Sequence, residues 1–335
     1  MKKKLPIDAA MEKAIQENVF PGAALLVAKK GQILHRNFYG HATLLPRPEL
    51  LTEKIIFDIA SLTKPVATAS IALLAVQENS LSLNTPVSNS FTPEHLLRHT
   101  SGLPAWKAYY QELAKEHLNL VGHKEAREWY WEHILQEPLE NPPGIQRVYS
   151  DLGFILLGIF LENFFKKSLD QVFDEKIAKP MKLTHTFFVP AGQKRSDQVF
   201  AATENSVWRK KLIRGEVHDD NAYALGGVAG HAGLFSTVDD LHRFCLETVK
   251  QKKKSVEEYE LGWDTPSPKD SQSGKYFSKN SIGHLGYSGC SLWIDFDQDF
   301  HVILLTNRVH PTSQNEKIKV FRPQLHNLIY EQLIQ

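Results

Sequence analysis

The tightest constraint on this chain is where its strand signals fall: near both ends, with helical periodicity between them. Ala23 to Ala28 and Gln32 to Tyr39 read as two strands around Lys30-Gly31, a hairpin signal. Near the other end, Ser291 to Asp297 and His301 to Thr306 form a second pair around Asp297-Gln298-Asp299. Between them, Thr63 to Gln77, Thr92 to Thr100 and residues 107–135 and 151–166 carry helical spacing, with Pro142-Pro143-Gly144 as a break. Ala9, Met11, Ala14 and Ile15 mark a first helix over 8–18, and a terminal helix covers roughly 315–334. The economical fold is α/β of the α+β type. One antiparallel sheet is built from both chain ends, flanked by helices, with a mostly helical domain inserted. Residues 1–60 and 225–335 form the sheet domain and 61–224 the helical one, with the functional cleft between them.

Several function classes are excluded early. The 39 basic and 38 acidic residues leave a net charge of +1, so there is no basic field for nucleic acid. The run Lys250 to Lys254 reads as a solvated helix end or loop. No stretch of about 18 apolar residues exists, so no transmembrane segment is expected. The start, Met1-Lys2-Lys3-Lys4-Leu5-Pro6, is basic but lacks an apolar region behind it. As written the chain reads as cytoplasmic, and as periplasmic or secreted if a leader was omitted. Cys245 and Cys290 read as two buried thiols. No metal-binding, dinucleotide or phosphate-loop motif occurs, and no cofactor is expected.

The chemistry begins at Ser61-Leu62-Thr63-Lys64, the only serine followed by lysine three residues on. On a helix these side chains share a face. A serine hydroxyl needs a group to take its proton, and a lysine does this when its surroundings lower its pKa. Alone, the spacing fits equally a capping serine and an exposed lysine.

The surrounding residues favour chemistry. Phe57 to Pro65 resembles the opening of the catalytic helix in the serine β-lactamase and penicillin-binding family, closest to the class C β-lactamase-like branch with its D,D-peptidases and esterases. Leu81 to Val87 and Leu96-Leu97-Arg98-His99-Thr100-Ser101-Gly102-Leu103-Pro104 resemble segments that follow it. Tyr149-Ser150-Asp151 resembles the second catalytic motif, and His284-Leu285-Gly286 the third. The resemblance spans about residues 8–330. It implies a β-lactamase/transpeptidase-like fold and an acyl-enzyme hydrolase acting on small-molecule or peptide amides and esters. Ser61 is then the nucleophile, with Lys64 and Tyr149 relaying its proton. Backbone N–H groups of Ser61 and Tyr287 form an oxyanion hole, and Gly286 permits close approach of substrate.

Two positions depart from the family pattern. Asp151 stands where Asn is usual, so an amide donor is lost and Lys64 is held charged. His284 stands where Lys is common and holds a substrate carboxylate less firmly. Val217 to Asn221 and the glycine-rich stretch Gly226 to Gly233 resemble a signature of the same branch. That stretch fits either a cleft border or tight packing. Two rivals stand beside this reading. Gly286-Tyr287-Ser288-Gly289-Cys290 misses the nucleophile-elbow pattern of α/β-hydrolase esterases by its last residue. A catalytically weak ligand-binding or sensor domain of the same fold is the other.

Overall fold

A computed structural model describes residues 5–250 and 260–335. The basic start Met1–Lys4 and residues 251–254 of the basic run lie outside the described residues. The main sheet has six antiparallel strands in the order Ser281–Leu285, Ser291–Asp295, Phe300–Thr306, Gly22–Lys29, Gln32–Thr43 and Glu49–Leu50. The two chain ends meet at its centre, where Ala23 pairs with Thr306 and Lys29 with Phe300. Both expected hairpins form. Lys30 (φ 50°) and Gly31 (φ 75°) take the left-handed conformations that match the strand twist. At the other hairpin Asp299 does the same, and Asp295 accepts from the N–H groups of Asp297 and Gln298.

The central strand is buried on both faces, which explains its unbroken apolar run. Ala23, Leu25 and Val27 face the terminal helices Pro6–Gln16 and Ile318–Ile329. Ala24, Leu26 and Ala28 face the larger core, which holds the middle of the chain. The helix Asp151–Phe165 runs through that core, with nine of its residues buried. Cys245 and Cys290 are both free and buried.

Two local expectations are corrected. The span 107–135 is not one helix but two, Tyr109–Glu116 and Ala126–Leu135. Gly122 between them takes φ 84° and gives its N–H to Ala224 O at the end of the helix Asp220–Ala224, not to a carbonyl four residues back. A second sheet, built from strands too short to show a period, was also invisible to the pattern. It joins Phe187–Phe188, Leu234–Ser236, Ile55–Asp58 and Val199–Phe200. Its strand Ile55–Asp58 delivers the chain to Ser61.

Candidate active site

The turn that carries Ser61 is built from below. Ile59 is tied by its N–H to Leu234 O, and Ala60 adopts φ 48°, a costly conformation for a residue with a Cβ. Buried Asp58 holds it there, accepting from Ala60 N at 2.8 Å through Oδ1 and from His218 N at 2.6 Å through Oδ2. Thr63 Oγ1 donates to Ala60 O and accepts from Leu234 N. Ser61 thus opens a tight turn (Ala60–Leu62) that widens into π geometry over Lys64–Ala69 before the regular helix Ser70–Gln77. Such widened turns concentrate at functional positions.

Lys64 is wholly buried, and its ammonium meets three acceptors. Ser61 Oγ lies at 2.9 Å, Asp151 Oδ1 at 2.7 Å and His231 O at 3.3 Å. Its Nζ also sits 4.8 Å from the Tyr149 ring centroid and 5.8 Å from that of Phe154. Burial opposes its charge, but Asp151 and Tyr149 outweigh burial and hold the pKa above the ordinary lysine value. Two hydrogen bonds, to Ser61 Oγ and His231 O, and an ion pair with Asp151 describe a cation that donates.

Tyr149 and Asp151 flank Ser150, which caps the helix Asp151–Phe165 by accepting from Gly153 N. Tyr149 is 40 % exposed to the cleft, while its hydroxyl interacts with Lys64 and Ser61. The phenol pKa stands above its ordinary value, because loss of solvent raises it by more than Lys64 lowers it. Under the ring lies buried His99, its centroid 4.6 Å away. His99 Nδ1 accepts from Ser150 N at 3.0 Å, and burial holds its pKa well below the ordinary value. The segment ending in Gly102-Leu103-Pro104 is therefore the floor on which Tyr149 stands.

The third motif closes the other side. His284 is buried, with Nδ1 donating to Leu285 O at 2.8 Å and Nε2 without a partner. Burial, ahead of the attraction of Asp264, lowers its pKa, so the ring is neutral at pH 7. A Cβ on Gly286 would stand 2.5 Å from Ile59 O, so the close approach at this glycine is between two protein backbones. Ser288 Oγ donates to Asp58 O at 2.9 Å, fastening the turn that carries Tyr287 to the strand that carries Ser61. Tyr287 stacks on His218 at 5.8 Å and lies under the Arg308 guanidinium at 4.5 Å.

The glycine-rich stretch meets both readings, since its Ala232 lines the cleft while its Gly230 is packed tightly. His218, Asp219, Asp220 and Asn221 line the cleft. Gly230 packs against the helix Asp151–Phe165, where a Cβ would meet Phe154 O at 2.0 Å. His231 then presents its carbonyl to Lys64 while its Nε2 contacts Asp219 Oδ1 at 2.8 Å. Asp58 and His99 escaped the reading of the sequence as site residues. Both sat inside quoted motifs, but nothing local marks a side chain that serves a backbone N–H across the fold.

Ser61, Tyr149, Asp151, His284, Gly286 and Tyr287 line one cleft of about 870 Å³, and Lys64 lies just behind Ser61. Serine, ammonium and phenol converging on one open cleft can transfer an acyl group. Comparison with known proteins bears on the lineage. The chain is 30% identical to an N-acetylmuramyl-L-alanine amidase of Bacillus subtilis (strain 168), over 92% of this chain and 82% of the relative. It is 30% identical to a putative D-alanyl-D-alanine carboxypeptidase of Escherichia coli O157:H7, over 92% and 84%. Its fold matches EstCE1, a hydrolase with promiscuous acyltransferase activity, at a TM-score of 0.74 with 20% identity, covering 97% of both chains. The sequence model of the family described as Beta-lactamase matches residues 7–324. With the two-ended antiparallel sheet and this match over nearly its whole length, the chain belongs to the β-lactamase family.

Proposed function

We propose that this chain is a serine amidase that forms an acyl-enzyme on Ser61 and cleaves amides whose leaving group is an alanine. The observation that carries the mechanism is Lys64 Nζ at 2.9 Å from Ser61 Oγ while Asp151 holds the same ammonium at 2.7 Å. The leaving group is drawn from the two relatives, whose names share an amide bond to the nitrogen of alanine. The cleft lies between the sheet unit, residues 1–60 and 225–335, and the helical unit, residues 61–224.

Lys64 stays an ammonium, so the proton passes through Tyr149. The phenolate form, stabilised by Lys64, takes the Ser61 proton as Oγ bonds to the carbonyl carbon. The carbonyl oxygen, now negative, is met by the N–H groups of Ser61 and Tyr287. Tyr149 then returns the proton to the departing nitrogen, and the C–N bond breaks. Water repeats the sequence and releases the acid. His284, its Nδ1 committed to Leu285 O and its Nε2 buried, holds the wall of the cleft beside Tyr149.

The test is intact-protein mass spectrometry after exposure to a fluorophosphonate. One adduct of the expected mass is expected on the native chain and none on Ser61→Ala. An adduct persisting on Ser61→Ala, or no adduct on a folded native chain, overturns the proposal and favours the sensor reading.

A further inference from the structure

Trp106 is 51 % exposed inside the cleft. An aromatic face exposed within a cleft is a surface that a bound ligand can cover. Its ring stacks on no other ring among the described residues.

The backbone around it is fastened on both sides. Pro104 O accepts from Ser150 Oγ at 2.7 Å, and Ala105 O accepts from Asp151 N at 2.8 Å. Past the tryptophan, Lys107 O accepts from Asn221 Nδ2 at 2.9 Å, and Tyr110 N donates to Asn221 Oδ1 at 3.0 Å. Lys107 Nζ and the Tyr109 hydroxyl both close on Glu137. The backbone that carries the indole is therefore held in fixed register with Tyr149 and Asp151. An uncovered aromatic face on a fastened backbone beside a reaction centre is a preorganised binding surface.

What surrounds that face identifies the ligand class. An apolar acyl group would call for an apolar pocket, but the lining of the same cleft includes Asp151, Glu204, Asp219, Asp220 and Asn221. One flat apolar face among hydrogen-bond acceptors fits a ligand with apolar C–H faces and a rim of hydroxyl and amide donors. Each of these carboxylates already has a partner, Asp151 in Lys64, Glu204 in His218, Asp219 in His231 and Asp220 in Arg209, so none of them calls for a charged ligand. The geometry points to Trp106 as the platform for a neutral pyranose ring on the acyl side of the scissile amide. This rests on the amidase reading above and chooses, between a sugar-linked and a peptide-linked acyl group, the sugar.

The experiment compares three substrates with the same leaving group: N-acetylmuramoyl-L-alanine, D-lactoyl-L-alanine, which keeps the bond but lacks the sugar, and 3-phenylpropanoyl-L-alanine. The native enzyme should favour the first over the second at least tenfold in kcat/KM. Trp106→Ala should erase that preference, chiefly through KM, and Trp106→Tyr should restore most of it. An equal loss on the first two substrates, or no native preference for the sugar, overturns the inference. So does an equal or larger loss on the phenylpropanoyl compound, which marks a plain apolar site. If none is cleaved, saturation-transfer NMR with N-acetylglucosamine decides: transfer to the ring that disappears in Trp106→Ala supports the platform, and no transfer removes it. Fluorophosphonate labelling of Ser61 separates the two readings. Loss of sugar preference with labelling intact sinks the platform alone, and absence of labelling sinks the amidase.

Discussion

Replacing Asp151 by asparagine removes one charge from the centre of the proton relay while changing its shape little. Asp151 Oδ1 is 2.7 Å from Lys64 Nζ, and Lys64 is fully buried. At an effective dielectric of 20 two unit charges at that distance attract by about 6 kcal/mol. If desolvation cancels half, about 3 kcal/mol remains, or roughly two pKa units. Asp151 raises the pKa of Tyr149 as well as that of Lys64. In the proposed mechanism the active form requires the Lys64–Tyr149 pair to have lost one proton, a step that belongs to the pair jointly. A carboxylate beside the pair makes that loss harder, so the neutral amide makes it easier. In Asp151→Asn the rising limb of kcat/KM against pH should move to lower pH by at least one unit. The assay is p-nitrophenyl acetate hydrolysis from pH 5 to 10, with Ser61→Ala as the blank and circular dichroism to verify the fold. Asparagine also supplies an N–H for an acylamino carbonyl, so β-lactam turnover should rise relative to ester turnover. A limb that stays in place or moves to higher pH refutes the claim that Asp151 controls the relay. A fall in β-lactam turnover with the ester rate unchanged refutes the donor argument.

Two further outcomes follow from the surroundings of the site. His284 is neutral because burial lowers its pKa, so kcat/KM for an anionic acyl-alanine and for its neutral amide should keep a constant ratio between pH 8 and 6. A ratio that climbs for the anion as pH falls through about 6.5 would mean that the ring is protonated in use. Asp58→Ala strips the acceptor from the N–H groups of Ala60 and His218. It should destabilise the protein by about 2–4 kcal/mol, read in urea unfolding, and slow fluorophosphonate labelling of Ser61 at least tenfold in the protein that remains folded. Labelling at the native rate would show that the Ala60 conformation stands without Asp58.

Local pattern determined a good deal. The hairpins at Lys30-Gly31 and Asp297-Gln298-Asp299 depend on residues that tolerate left-handed φ, and the unbroken run Ala23 to Ala28 marks a strand buried on both faces. Both are encoded within a few residues. The meeting of strands from opposite chain ends is the economical way to join the two hairpins in one sheet. The Ser61–Lys64 spacing, being one helical turn, already implied that the two side chains could touch.

Tertiary structure decided the rest, because the deciding forces act across the chain. The charge state of Lys64 is set by Asp151, 87 positions away in sequence, and by the dry interior that both occupy. Whether His284 is a cation or a neutral ring depends on burial, which no motif states. The glycine-rich stretch was ambiguous until Gly230 lay against Phe154, and Gly286 proved to admit the backbone of Ile59. Trp106 gave no signal, since an exposed tryptophan and a core tryptophan read alike in sequence. Its backbone is fixed by Ser150, Asp151 and Asn221, which converge on its loop only when the chain is folded. Short-range sterics and side-chain periodicity are written residue by residue, whereas desolvation and through-space charge exist only once distant segments exclude water together.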